Sequence, residues 1–291
     1  MYLHSIFVHM AGTNFLFYNG KITRSGAPLI SPDNRSFRYG DGFFETLKLV
    51  NGKIRLANDH MERLFSSLVT LQFKPPAYFT PAYIKEHVEE LAKKNGHEKL
   101  ARVRVTLFRG EGGLYDVEDH FPNHLIQTWE LNPANNQLNE NGLVIDIFKD
   151  ARKPSDLFSA IKSNNYLSYA MAALWAKKNK LNDALLLNAY DGIADATIAN
   201  VFMVEDGLVK TPALTEGPVN GVMRKHILRS LRAENIPVEE TKISVEELMQ
   251  ASEVFLTNAI YGIRWVKQLG DNGYTSQLAA WLHKKWVADL S

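Results

Sequence analysis

The sequence predicts a two-domain protein of the α+β or α/β class, and three observations carry that expectation. Runs with strand-like alternation are interleaved with helix-spaced apolar residues along the chain. Two Asn-Gly pairs, the commonest short hairpin signal, lie in the first sixty residues. Near the middle, "LNPANNQLNENG" breaks the pattern with the Asn, Pro and Gly content of a linker. A chain of 291 residues holds roughly two domains. The predicted division is a small first domain over residues 1–130, a linker over 131–142 and a second domain over 143–291.

Residues 14–24, "NFLFYNGKITR", predict strand, Asn-Gly turn and strand, and "FETLKLVNGKIRLANDH" repeats the device at Asn51-Gly52. "HMERLFSSLVTLQF" places Met61, Leu64, Leu68 and Leu71 at helical spacing. "TPAYIKEHVEELAKKNGH" opens on a Thr-Pro helix start and stops at Gly96. "LARVRVTLFRG" alternates as a strand. Beyond the linker follow strand "LVIDIF", a helix after Lys162, strand "DALLLNA", a turn at Asp191-Gly192, and strand "NVFMVEDG". "GVMRKHILRSLRAEN" is a helix, "SEVFLTNAIYGIRWV" is strand-like, and "TSQLAAWLHKKWVADL" closes the chain as a helix.

Apolar residues make up 45% and charged residues 22%, ordinary for a globular protein. No uninterrupted apolar run approaches the ~18 residues of a membrane span. The first residues, "MYLHSIFVHMAGTNF", lack the basic start and cleavage site of a secretory signal and read as a short extension. A net charge of +1 offers no field for nucleic acid or an anionic membrane. The absence of cysteine excludes disulfides, thiolate catalysis and cysteine metal sites. A cytoplasmic location is the default expectation.

The chain has no GxxxxGK[ST], HExxH or GxSxG pattern. His120 and His124 are four apart, but Pro122 between them argues against one helix face, so no metal site is expected. Three other features combine. Lys162 stands at the mouth of a helix among apolar neighbours, where lost solvation favours a neutral, nucleophilic amine. Gly221 precedes an amphipathic helix, so the free N–H groups of Val222 and Met223 form an anion seat, with Arg63 a charged partner. Asp195, between a turn and an apolar strand, can hold a pyridinium nitrogen protonated. An amine, an anion seat and a carboxylate are what pyridoxal phosphate requires. Each feature also has an ordinary structural explanation: a helix-start lysine, a turn aspartate, a helix-face arginine.

Taken in order, "YGDGFFETLKLVNGKI", "HMERLFSSL", "IKSNNYL", "DATIANVFMVEDGLVKTPAL", "GPVNGVMRKHIL" and "FLTNAIYGI" resemble the class IV aminotransferase family. These are the fold-type IV pyridoxal phosphate enzymes: branched-chain and D-amino-acid aminotransferases and aminodeoxychorismate lyases. The resemblance implies a small N-terminal α+β domain, a larger C-terminal mixed-sheet domain and a homodimer. It implies that Lys162 is the Schiff-base lysine, that Arg63 binds the cofactor phosphate, and that Val222 and Met223 seat it through backbone amides. Asn258 and Ala259 match the second phosphate-side turn, Tyr166 a position near the cofactor, and Val219 the residue packed on the pyridine face. Asp195 stands where the family usually has a longer glutamate; Asp191 belongs to the neighbouring turn.

The subgroups divide the motifs. "VNGVMR", "RGEGG" and "FLTNAIYGI" lean towards the lyases, but Leu114-Tyr115 replaces the arginine that follows the two glycines there. The D-amino-acid type has an Arg-x-His trap missing from "RGEGGLYD" and a tyrosine at Phe37. The branched-chain type has an arginine at Lys48. Phe37, Arg38, Lys48 and Arg109 are the substrate-side candidates. The leading expectation is amino-group exchange between an amino acid and a 2-oxo acid. The alternatives are 4-amino-4-deoxychorismate lyase and a non-catalytic binder of pyridoxal phosphate or an amino acid.

Overall fold

The computed structural model describes residues 14–290, and the reading of residues 1–13 as an extension lies outside them. The described residues form two compact units, one of residues 14–133 together with Ile161–Asn165, the other of Ala134–Ala160 and residues 166–290.

In the first unit, β1 (Phe15–Tyr18) and β2 (Lys21–Arg24) flank Asn19 and Gly20, at φ 44° and 89°. Two successive positive φ values are what a tight two-residue hairpin demands, and Asn-Gly supplies them with little strain. Asn51 and Gly52, at φ 49° and 74°, do the same between β3 (Gly42–Val50) and β4 (Lys53–Ile54). With β5 (Leu100–Phe108) and β6 (Asn123–Glu130) these strands make an antiparallel sheet of order β2-β1-β6-β5-β3-β4. After the short α1 (Arg35–Tyr39), α2 (Ala57–Thr70) and α3 (Pro81–Asn95) bury Met61, Leu64, Leu68, Ile84, Val88 and Leu91 in one core with Leu47, Leu49, Val103 and Val105 of the sheet. The predicted helix signals operate as expected: the Thr80 hydroxyl accepts from the Tyr83 N–H at 3.2 Å, and Gly96 ends α3 at φ 72°.

Ile161–Asn165 groups with this unit because its backbone docks on the start of β3. The Phe44 N–H donates to the Lys162 carbonyl at 2.9 Å, and the Asn164 N–H to the Gly42 carbonyl at 2.9 Å. Ile161 enters the core. The domain expectation had set Lys162 in the second domain; pairing across more than a hundred residues attaches its segment to the first unit. Gly42 makes this docking possible, since a Cβ there would lie 2.5 Å from the Leu107 carbonyl and 2.8 Å from Asn164 Nδ2. Gly42→Ala is expected to cost about 1–3 kcal/mol of stability and to speed amide exchange at Asn164. Exchange unchanged from the parent protein would contradict this packing.

The second unit holds β7 (Leu143–Lys153), β8 (Asp183–Asn188), β9 (Ile193–Ala196), β10 (Asn200–Glu205), β11 (Leu208–Pro212), β12 (Val238–Thr241), β13 (Glu253–Asn258), β14 (Gly262–Leu269) and β15 (Asn272–Gly273). They form one mixed sheet of order β12-β11-β10-β13-β14-β7-β8-β9, with β15 on β14. The pairs β11/β12, β14/β7 and β7/β8 are parallel and the rest antiparallel. Helix α4 (Leu167–Lys178) makes the crossover from β7 to β8 that a parallel pair requires. Its Ala172 and Ala176 pack on Phe148 and Leu186. On the other face Ile145, Leu185, Val201, Met203, Val254 and Val266 form a core closed by Leu248 of α6 (Val245–Gln250). Helix α5 (Val222–Ala233) buries Ile227, Leu228 and Leu231. The closing helix, α7 (Gln277–Leu282), is shorter than expected and is followed by a π turn over His283–Val287 and a 3-10 turn over Ala288–Leu290. No helix among the described residues is long and apolar enough to cross a membrane.

Candidate active site

Asp195 owes its setting to a bulge. Leu186 pairs with Asp195 and Leu187 with Ile193, so Ala194 is an extra residue in β9. Strict alternation would put Ile193 and Asp195 on one face. With the bulge, Ile193 and Ala196 share the core of Leu185 and Leu187, and Asp195 turns to the Leu186 side, where α4 packs. Its side chain is 3% exposed. Oδ2 accepts from Lys153 Nζ, the Tyr169 hydroxyl and the Val219 N–H, each at 3.0 Å. Oδ1 is buried with no hydrogen-bond partner among the described residues. Leaving such an acceptor unmet costs on the order of 1–3 kcal/mol, more for a charged group. The arrangement fits a donor supplied from outside the chain, as the N–H of a pyridinium ring would be. Burial and the Asp195 charge push the Tyr169 hydroxyl well above its ordinary range, so it remains a donor.

Helix α5 begins at Gly221 without a side-chain cap. Asn200 braces that start: its Nδ2 donates to the Val219 carbonyl at 2.8 Å, and a Cβ on Gly221 would overlap its Oδ1. The leading N–H groups of a helix have no partner within it, so those of Val222 and Met223 suit an anion. Thr257, paired in register with Asn200, is 1% exposed, and its hydroxyl has no partner among the described residues. That hydroxyl was unforeseen, although it sits inside the quoted "FLTNAIYGI". Next to it, Asn258 Oδ1 accepts from the Ile260 and Tyr261 N–H groups at 3.0 and 2.9 Å, closing the turn that contains Ala259. Tyr166 occupies the N-cap position of α4 and is half-exposed.

In the first unit, Lys162 is partly buried and its Nζ lies 4.6 Å from the centroid of the Phe44 ring. Glu45, the next residue of β3, points to the opposite face. There Arg63 grips it with a two-pronged ion pair, Nε to Oε1 at 2.7 Å and Nη2 to Oε2 at 2.6 Å, and His60 Nδ1 lies 2.8 Å from Oε2. Burial alone would raise the Glu45 carboxyl; the charge of Arg63 and hydrogen bonds from Arg63 and His60 outweigh it and hold it at about 2. Neither Glu45 nor His60 was singled out from sequence, although both stand in the quoted motifs.

The substrate-side candidates separate. Arg38 is on the surface, paired with Asp33 and the Pro32 carbonyl, and Phe37 beside it is 75% exposed. The Arg109 guanidinium is held by Asp41 at 2.7 Å, by the Leu71 carbonyl and over the Phe73 ring, with only Nε unpartnered among the described residues. Lys48 is buried, and desolvation together with the Arg55 charge brings its amine down to about 8. His120 and His124 go separate ways, to the Gln72 carbonyl and the Tyr83 hydroxyl. No group of three or more potential metal ligands occurs among the described residues.

An antiparallel N-terminal α+β unit and a mixed-sheet C-terminal unit are the architecture of the fold-type IV pyridoxal phosphate enzymes. The chain matches the model of the amino-transferase class IV family over residues 42–269 and belongs to that family. It is 26% identical over 260 residues to an aminodeoxychorismate lyase of Vibrio harveyi, covering 85% of this chain and 89% of that protein. It is also 26% identical over 271 residues to a D-alanine aminotransferase of Listeria monocytogenes, covering 89% and 90%. A branched-chain aminotransferase from Thermoproteus uzoniensis shares the fold at a TM-score of 0.86 and 22% identity, over 96% of each chain.

Proposed function

We propose that the protein is a pyridoxal-phosphate-dependent aminotransferase that moves an amino group between an amino acid and a 2-oxo acid. The observation that carries the cofactor assignment is Asp195 Oδ1, a buried carboxylate oxygen without a donor among the described residues. Pyridoxal phosphate, when bound, supplies an electron sink for charge developing at the substrate Cα. In this assignment the N–H groups of Val222 and Met223, Arg63 and the Asn258-Ala259 turn hold its phosphate. Val219 would pack on the ring, Tyr166 would lie beside it, and Asp195 would accept from the ring nitrogen. The Lys162 amine binds the cofactor covalently in the resting protein and carries the proton to and from the substrate Cα. A cytoplasmic homodimer is the proposed state, and a fully active monomer in a size measurement would contradict it.

Transamination leads over elimination because the loop after the two glycines carries no cation for a second substrate carboxylate. Leu114 and Tyr115 stand there, 68% and 92% exposed. 4-Amino-4-deoxychorismate lyase is the second reading, supported by "VNGVMR". Purified protein loaded with pyridoxal phosphate should exchange amino groups between amino acid and 2-oxo acid pairs. Pyruvate release from aminodeoxychorismate, with no exchange for any pair, would reverse the order. Failure of borohydride to fix the cofactor on Lys162 would remove both enzymes, and cofactor capture without turnover of either substrate class would favour a binding protein.

A further inference from the structure

We propose that Lys153 is a positioning residue for the cofactor's ring nitrogen: with Tyr169 and the Val219 N–H it clamps Asp195 Oδ2, leaves Oδ1 as the acceptor, and weakens that nitrogen's hold on its proton. The proposal rests on the cofactor assignment above and adds to it a residue that no sequence motif indicated.

Lys153 reaches Asp195 through an irregularity in β7. Between Phe148 and Arg152 the register against β8 shifts, with Leu186 and Leu187 adjacent on the partner strand, so three residues of β7 lie outside the ladder. The ladder resumes with Arg152 opposite Leu187 and Lys153 opposite Asn188, and the strand ends before Pro154. Of the two adjacent cations, Arg152 turns to the surface and pairs with Asp191 at 2.8 Å. Lys153 turns inward, its side chain 6% exposed, to meet Asp195 at 3.0 Å and the face of the Tyr169 ring at 5.1 Å. Burying an ammonium is costly unless it is paired. Here Lys153 Nζ, the Tyr169 hydroxyl and the Val219 N–H all donate to Asp195 Oδ2 and leave Oδ1 bare among the described residues.

The consequence follows from charge. Lys153 and Asp195 together are neutral, so a protonated ring nitrogen at Oδ1 adds an uncompensated positive charge within a few ångströms of the ammonium. Like charge at that range disfavours the protonated form. Titratable groups coupled to Asp195 come from three elements: Lys153 at the end of β7, Tyr169 on α4 and Asp183 at the start of β8. Burial raises the Asp183 carboxyl to about 6 despite its bonds from Thr197 and Ala184; in its charged form it draws the opposite way. The clamp also gives the shorter aspartate a defined aim, because three donors at one oxygen leave its carboxylate little freedom to rotate.

The test uses the full-length holoprotein loaded with pyridoxal phosphate labelled with ¹⁵N in the ring. The ring-nitrogen resonance is followed against pH in the parent protein and in Lys153→Met, Lys153→Arg and Tyr169→Phe. Lys153→Met is expected to move loss of the ring proton to higher pH by about one unit, roughly tenfold in proton affinity. Lys153→Arg should follow the parent. Tyr169→Phe, which keeps the ring's packing, should shift in the same direction by less, and it carries the test if Lys153→Met does not fold. A residue that only supports the fold would lower the unfolding temperature without moving this resonance. An unmoved resonance in Lys153→Met, or in Tyr169→Phe where that variant carries the test, overturns the proposal. Borohydride trapping is run alongside: no adduct on Lys162 in the parent overturns the cofactor assignment as well, whereas an adduct with an unmoved nitrogen overturns the clamp alone.

Discussion

Lys162→Ala is expected to lose covalent capture of pyridoxal phosphate and to lower turnover by at least about 10³-fold. The substitution removes the amine and leaves the backbone docking intact, since the bond from the Phe44 N–H is accepted by the residue 162 carbonyl whatever the side chain. Ile161, which anchors the segment in the core, is untouched. Stability should therefore change by less than about 1 kcal/mol, the range of substitutions outside the core. Absorbance of the loaded protein, borohydride trapping with peptide mass analysis and a turnover assay measure the three quantities. Partial recovery of turnover by an added small amine would identify the loss as one of proton transfer. Retained adduct formation in Lys162→Ala would place the attachment on another lysine, and a large drop in unfolding temperature would make residue 162 a structural support.

The second large effect is expected at Glu45, where Arg63 and His60 converge. Glu45→Ala removes the carboxylate that the Arg63 fork grips in a largely buried setting; breaking a buried pair on one side costs about 3–5 kcal/mol. The unfolding temperature should fall on the order of 10 °C. Glu45→Gln, which keeps the shape and one acceptor, should lose less, and a double-mutant cycle with Arg63→Ala isolates the coupling. The pH dependence has a definite sign. The Glu45 carboxyl titrates at about 2 in the folded chain, below its ordinary 4.5, so the unfolded chain takes up its proton first as pH falls. The contribution, of order 3 kcal/mol, is fully present above about pH 4.5 and is lost towards pH 2. Thermal scans between pH 6 and 3 should show this loss in the parent and a flatter profile in Glu45→Gln. Equal slopes in the two proteins would remove the pair from the account of acid stability.

Where a local rule acts by itself, the chain was legible. Asn19-Gly20 and Asn51-Gly52 mark real hairpins because Asn and Gly tolerate positive φ at both turn positions. Thr80, Pro81 and Gly96 bound α3 because cap chemistry involves only neighbouring residues. Strand β6 escaped notice: "NHLIQTWE" alternates only weakly and follows Pro122, and its identity as a strand comes from pairing with β1 and β5. Helix α6 carries a Ser244–Glu247 capping box that was readable but too short a run for periodicity to stand out. In the site, the motif residues were named because they stand in ordered segments. Glu45 and Thr257 were passed over because a buried partner or an unmet hydroxyl is a property of packing.

The amino-acid order alone determined the hairpins, the principal helices, the family and the positions that carry its motifs. The tertiary structure decided which face Asp195 occupies, which of Arg152 and Lys153 turns inward, and which unit receives Lys162. The physical reason is the range of the interactions. Caps and turns are satisfied within a few residues of chain, whereas a one-residue bulge against β8, a register shift in β7 and backbone bonds from residue 162 to β3 depend on strands distant in sequence.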